Sequence, residues 1–237
     1  MKVIRLLALL LALFCVLAAI ACKKEEPETP PTEEEPEVIL PVESGEIEGT
    51  SLYWEIYRDG TLYIKGEGDM GEELFENVEA GSSALPWASY TKSGAEGGLV
   101  IKKAVVSEGV TGLSQKSFKD CIYLELVELP ATLTKIPREC FRGCTTLKRV
   151  FGKNITVIGE SAFERCERLQ RLTLSTLLES VGQGAFFGAG TESDRFELRL
   201  VGSEQEWQGG AGVAVVEPEH ANKFFADAMQ SPKFISR

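Results

Sequence analysis

Leu133-Thr-Lys-Ile136-Pro-Arg-Glu-Cys140-Phe141-Arg-Gly-Cys144-Thr-Thr-Leu147 is followed 22 residues on by Ile155-Thr-Val-Ile158-Gly-Glu-Ser-Ala162-Phe163-Glu-Arg-Cys166-Glu-Arg-Leu169. Both stretches place aliphatic, small, aromatic and sulfur side chains at the same offsets. The register continues outward on both sides, with Phe118, Phe141, Phe163 and Phe186 spaced 23, 22 and 23 residues apart. Eight positions before each Phe stand Val110, Leu133, Ile155 and Leu178, and five before stand Leu113, Ile136, Ile158 and Val181. The residue just before each Phe is small (Ser117, Cys140, Ala162, Ala185), and three after it come Cys121, Cys144, Cys166 and Ala189. Such a period marks a stack of equivalent units. A unit of this length has too few apolar residues to bury them by itself. Stacked units turn the columns into one core, in which each buried Leu, Ile, Val or Phe contributes about 1.5–3 kcal/mol.

These segments resemble the BspA-like (treponemal-type) leucine-rich repeat, from about Val100 to Gly190. The resemblance implies an α/β leucine-rich-repeat solenoid with short parallel strands, an N-terminal β-hairpin cap and a C-terminal capping region. The flanks are similar too. Trp54-Glu-Ile56-Tyr-Arg-Asp-Gly60-Thr-Leu62-Tyr-Ile64 is similar to the hairpin that precedes such repeats, and Pro86-Trp87 to its linking segment. Leu200-Val-Gly202-Ser-Glu-Gln-Glu-Trp207 and Val215-Val-Glu-Pro218 are similar to C-terminal coils. The hairpin also follows from the residues alone. Leu52, Trp54 and Ile56 alternate, Asp59-Gly60 makes the turn, and Leu62 and Ile64 return on the same face. It is expected to protect the first coil.

Ahead of the repeats lie two segments of other character. Lys2 and Arg5 precede an apolar run over residues 6–21, shorter than a bilayer span needs and ending in small residues, which reads as a signal peptide. Ala19-Ile20-Ala21-Cys22 resembles the lipobox of bacterial lipoproteins, which implies a lipid on Cys22 and a membrane partner. Residues 23–48 carry ten Glu and five Pro against Lys23 and Lys24, a composition expected to stay disordered and act as a tether. The domain reading is therefore signal peptide 1–22, tether 23–48, N-terminal cap 49–99, repeats 100–192 and C-terminal cap 193–237. The formal charge of −11 argues against a nucleic-acid partner.

Chemistry finds little to stand on. Gly66-Glu-Gly68-Asp-Met-Gly71 matches a dinucleotide fingerprint, yet its strand closes a hairpin, and Glu67, Asp69, Glu72 and Glu73 would repel a pyrophosphate. His220 is the sole histidine, so a Ser-His-Asp arrangement would rest on it alone. Cys121, Cys144 and Cys166 share a column and Cys140 sits in the small-residue column. They read as buried apolar filler, although export would permit bridges between them. Spacing does not suggest zinc. Neither an enzyme, a cofactor nor a metal is expected.

A binding role is expected instead. In leucine-rich repeats the strands align as a parallel sheet with an outward concave face. Val127, Leu129, Leu172 and Leu174 point inward, so alternation sends out one column of Lys103, Leu126, Arg149 and Arg171 and another of Val105, Glu128, Phe151 and Thr173. Glu197 and Arg199 extend these columns. The ligand-contact set is Leu126, Glu128, Arg149, Phe151, Arg171 and Thr173, for an unidentified protein or glycan. BspA-like proteins are associated with adhesion, so the resemblance implies an adhesin-like protein lipid-anchored at the outer membrane or cell surface. The alternative is an envelope scaffold facing the periplasm.

Overall fold

The computed structural model describes residues 39–75, 85–92, 98–193, 196–203, 205 and 233–235. Its strands are β1 (Glu43–Glu46), β2 (Leu52–Ile56), β3 (Thr61–Gly66), β4 (Gly68–Asp69), β5 (Lys103–Val106), β6 (Val110–Gly112) and β7 (Leu126–Glu128). They continue with β8 (Lys135–Ile136), β9 (Arg149–Phe151), β10 (Val157–Ile158), β11 (Arg171–Ser175), β12 (Ser180–Val181), β13 (Glu197–Val201) and β14 (Lys233–Ile235). A long sheet runs β1-β2-β3-β5-β7-β9-β11-β13-β14, a short one β12-β10-β8, and β4 pairs with β6. β2 is antiparallel to both β1 and β3, and every pairing from β3 onward in the long sheet is parallel. This is a leucine-rich-repeat solenoid.

The core is the set of columns legible in the sequence. Phe118, Phe141, Phe163, Leu124, Leu147, Leu169, Leu133, Ile155, Ile136, Cys144 and Cys166 are fully buried. The phenylalanine rings stack in line, with centroids 5.3, 5.4 and 5.3 Å apart and planes within 10–14° of parallel. Trp87 extends this spine by one ring. It lies 6.0 Å from Phe118 at 24°, and its indole N–H donates to the Ser117 carbonyl at 2.9 Å. Phe75 and Trp54 then meet Trp87 edge-on at 5.9 and 6.5 Å, which ends the stack with aromatic edges rather than an open face.

The third side of each coil is neither strand nor helix. Residues 101–193 contain no helix, and turns join the short parallel strands of the solenoid there. The reason lies in two left-handed residues per coil. Two positions before each Phe, Lys116, Glu139, Ser161 and Gly184 have φ of 61°, 51°, 53° and 63°. Two positions after it, Asp120, Gly143, Arg165 and Gly188 have φ of 57°, 74°, 59° and 69°. A chain that turns left-handed twice in five residues cannot wind an α-helix. It turns its N–H groups along the stack instead. Phe118, Phe141 and Phe163 donate to the carbonyls of Cys140, Ala162 and Ala185 in the next coil at 2.9, 2.9 and 2.7 Å.

The hairpin of β2 and β3 has the expected register, with Trp54 opposite Ile64 and Ile56 opposite Leu62. It joins the sheet edge beside β5, so it lengthens the outward face and does not lie across it. One boundary needs correction. Composition places residues 43–48 in the tether, yet Glu43–Glu46 form β1 on β2, and Ile47 is buried. An edge strand pairs through its backbone whatever its side chains carry, so acidic residues do not prevent it. Glu43 also accepts a hydrogen bond from the Tyr90 hydroxyl. Burial and that carboxylate push the Tyr90 pKa up to about 12.

Candidate functional site

Strand register brings the outward residues into two continuous rows. Thr61, Lys103, Leu126, Arg149, Arg171 and Glu197 are successive Cα partners. So are Tyr63, Val105, Glu128, Phe151, Thr173, Arg199 and Lys233. The rows read from the repeat are therefore present, and the hairpin adds Tyr63 at one end while β14 adds Lys233 at the other.

The two ends differ in chemistry. Toward β2 and β3 the charges are matched. Lys65 pairs with Glu55 at 2.6 Å and lies 5.1 Å from the Tyr63 ring centre, and Tyr57 donates to Glu55 at 2.8 Å. Lys103 pairs with Glu128 at 2.9 Å. Leu126 and Phe151 are half-buried between these groups. Thr173 departs from expectation: only 4% of it is exposed, so it forms floor and not a ligand contact. A short side chain between Phe151 and Arg199 on the flanking strands lies below the surface they set. Its hydroxyl has no hydrogen-bond partner among the described residues.

Toward β13 and β14 the face opens into a recess of about 630 Å³, lined by Lys148, Arg149, Gln170, Arg171, Glu197, Arg199 and Lys233. Glu197 is its organising carboxylate. Its side chain is 10% exposed and receives Lys233 at 2.7 Å, Arg199 at 3.1 Å and Arg171 at 3.1 Å. The Lys233 ammonium and then the two guanidiniums hold Glu197 down to a pKa of about 2. Stability follows from the sign of that shift. Between about pH 5 and pH 2 the unfolded chain binds a proton that the folded chain refuses, so this contribution is present at neutral pH and lost on acidification. Glu197→Gln is expected to cost on the order of 1 kcal/mol at pH 7, after allowance for partly hydrated partners, and to flatten the fall in stability between those pH values. Urea unfolding at pH 7 and pH 3 measures both effects, and an unchanged acid slope would contradict the assignment.

Lys148, Gln170 and Lys233 were not among the expected site residues. Lys148 and Gln170 each precede an outward residue by one position, and that adjacency was the available signal. Lys233 arrives on a strand outside the repeat and had none. Cys22, residues 23–38 of the tether, His220, and the coils read at Trp207 and 215–218 lie outside the described residues. Gly66, Gly68 and Gly71 lead into β4 and a turn, not a helix N-terminus, so the fingerprint has no phosphate cradle.

Cys121, Cys140, Cys144 and Cys166 are free and fully buried, and desolvation raises all four thiol pKa values. Cys144 and Cys166 donate S–H to the carbonyls of Phe118 and Phe141 at 3.0 and 3.1 Å, which ties coil to coil. Among the described residues no group of three or more His, Cys, Asp or Glu is placed to hold a metal ion, and no helix is long and apolar enough to cross a membrane.

The family described as BspA type leucine rich repeat region matches residues 98–198 in six copies. No curated protein matches the chain. Among solved structures, a leucine-rich repeat protein from Eubacterium ventriosum is similar over 76% of this chain and 45% of its own, with 16% identity and a TM-score of 0.49. The T. pallidum leucine rich repeat protein is similar over 79% of this chain and 95% of its own, with 16% identity and a TM-score of 0.40. The pneumococcal vaccine antigen PcpA is similar over 80% of this chain and 49% of its own, with 19% identity and a TM-score of 0.43. The chain thus spans less than half the length of the first and last of these.

Proposed function

Because residues 98–198 are a BspA-type leucine-rich repeat region, we propose that the chain is a binding protein of the bacterial cell envelope, lipid-anchored through Cys22, that engages a macromolecular ligand on the outward face of its long sheet. The observation that carries the reading is the pair of uninterrupted side-chain rows from β3 to β13. They present Leu126, Glu128, Arg149, Phe151 and Arg171 on one surface. Aromatic and Arg side chains are enriched where proteins dock, and a half-buried Phe beside Arg is the pattern of an anchor with a polar rim. The reading is of binding and not of turnover. The only thiols among the described residues are sealed in the core, and the recess holds cations, an amide and one saturated carboxylate. An adhesin-like role at the outer membrane or cell surface is the form of this proposal that the lipobox-like Cys22 and the acidic tether favour.

Protease treatment of intact cells, followed by detection of residues 49–237, tests it. Digestion without lysis is expected for the native chain, and Cys22→Ala should release the protein from membranes. Protection until lysis would overturn the adhesin-like reading in favour of a periplasm-facing scaffold.

A further inference from the structure

We propose that the recess at the β9–β14 end of the long sheet is a binding site for an anionic polysaccharide, a chain bearing carboxylate or sulfate groups. This rests on the reading of the sheet's outward face as the ligand surface and names the class of ligand for one end of it.

Charge is the first argument. Lys148, Arg149, Arg171, Arg199 and Lys233 line the recess against a single carboxylate, Glu197. Glu125, which pairs with Lys148 at 2.7 Å, is the one other acid among the described residues in contact with these cations. Glu197 is spent, since three of the cations already converge on it. Arg171 turns Nε and one terminal nitrogen toward it, at 3.2 and 3.1 Å, and so does Arg199, at 3.1 and 3.5 Å. A guanidinium carries five N–H donors, so this carboxylate leaves several on each Arg for another acceptor. Glu197 therefore orients the cations without neutralising them.

Arg149 is the second argument. It is exposed and directly opposite Arg171 on the neighbouring strand, and its guanidinium has no ionic or hydrogen-bonding partner among the described residues. Like charges opposite each other on adjacent strands destabilise a sheet. The other end of the same face balances its lysines with Glu55 and Glu128. Neighbouring strands about 4.8 Å apart bring Arg149 and Arg171 side by side, so that one anion can accept from both side chains.

The lining chooses among anions. Among the described residues no apolar side chain lines the recess. A protein ligand is held by apolar or aromatic anchors at the centre of its interface, and here there is nothing to receive one. A saccharide needs charge and hydrogen bonds. Carboxylate or sulfate groups would meet the Arg and Lys donors, and the Gln170 amide can both donate to and accept from ring hydroxyls. The volume of about 630 Å³ lies in the range of ligand sites and suits a short stretch of a chain.

The test uses the full-length protein in detergent with heparin oligosaccharides as the sulfated, uronate-bearing probe. Dextran is the uncharged control and single-stranded DNA the competing polyanion. Neither anchoring nor sidedness enters this measurement, so its failure is separable from that of the envelope reading. Heparin is expected to bind, dextran not, and affinity should fall steeply as salt rises from about 50 to 200 mM. Lys148→Ala with Arg149→Ala should weaken binding by about tenfold or more. Lys153→Ala, an exposed cation outside the recess, should leave it unchanged. The proposal is overturned by no heparin binding, by equal loss in Lys153→Ala, or by DNA binding as tightly at the same salt.

Discussion

Replacing Phe141 by Ala is expected to lower the unfolding free energy by about 3–5 kcal/mol, a large share of the roughly 5–15 kcal/mol that holds a domain folded. Phe141 is fully buried and stacked on both sides, 5.3 Å from Phe118 and 5.4 Å from Phe163. Its removal costs the transfer energy of one ring and also leaves two neighbouring rings facing a cavity. Relaxation cannot close that gap, because Phe118 and Phe163 are each fixed by a backbone bond to the following coil, from Phe118 to Cys140 and from Phe163 to Ala185. An internal control lies two coils on. Phe186 is 2% exposed and Phe187 is 63% exposed, so Phe187→Ala should change stability by no more than about 0.5 kcal/mol. Urea titration followed by far-ultraviolet circular dichroism compares them. A loss below about 1 kcal/mol for Phe141→Ala would show that the spine is not what binds the coils.

Gly182→Ala is expected to destabilise by about 3 kcal/mol or more, although it adds one methyl group. A Cβ at that position would lie 2.3 Å from the Glu160 nitrogen and 2.5 Å from the Gly159 carbonyl carbon. These are backbone atoms of the preceding coil and cannot swing aside as a flexible side chain would. The coil must move, and with it the β10–β12 pairing just before the glycine, where Ile158 is opposite Val181. Gly159 repeats the geometry one coil earlier, 2.5 Å from the Arg138 nitrogen. Gly188→Ala is the comparison, since nothing there is closer than 3.8 Å. Its cost is the left-handed φ of 69° alone, on the order of 1 kcal/mol. Thermal melts should rank Gly182→Ala well below Gly188→Ala, and the reverse order would mean that the coils are less closely apposed than the structure has them.

Much of this architecture is written in columns. Val127, Val150 and Leu172 recur with the coil because each occupies the same environment, and aligning on phenylalanine puts the outward rows in their observed register. Trp87 escaped that alignment although it is the next ring of the spine, because a residue that occurs once has no column. The left-handed positions were hidden for another reason. Lys116, Glu139, Ser161 and Gly184 share a backbone conformation but no side-chain chemistry, and hydrophobic patterning cannot register them. Composition misled at Glu43–Glu46, where pairing with β2 and the Tyr90 contact outweigh the acidic side chains.

The sequence alone determined the solenoid, its period, the core columns, the hairpin register and the outward rows. All of these are set by contacts between equivalent residues a fixed distance apart, so repetition reports them directly. The tertiary structure alone decided that Thr173 is floor and that Glu197 gathers three cations. It also decided that a strand more than 30 residues beyond Glu197 closes the recess with Lys233. Those outcomes depend on how unlike segments meet at the end of the stack, where neighbouring side-chain lengths and a pairing between distant strands settle exposure and charge, and no period runs through them.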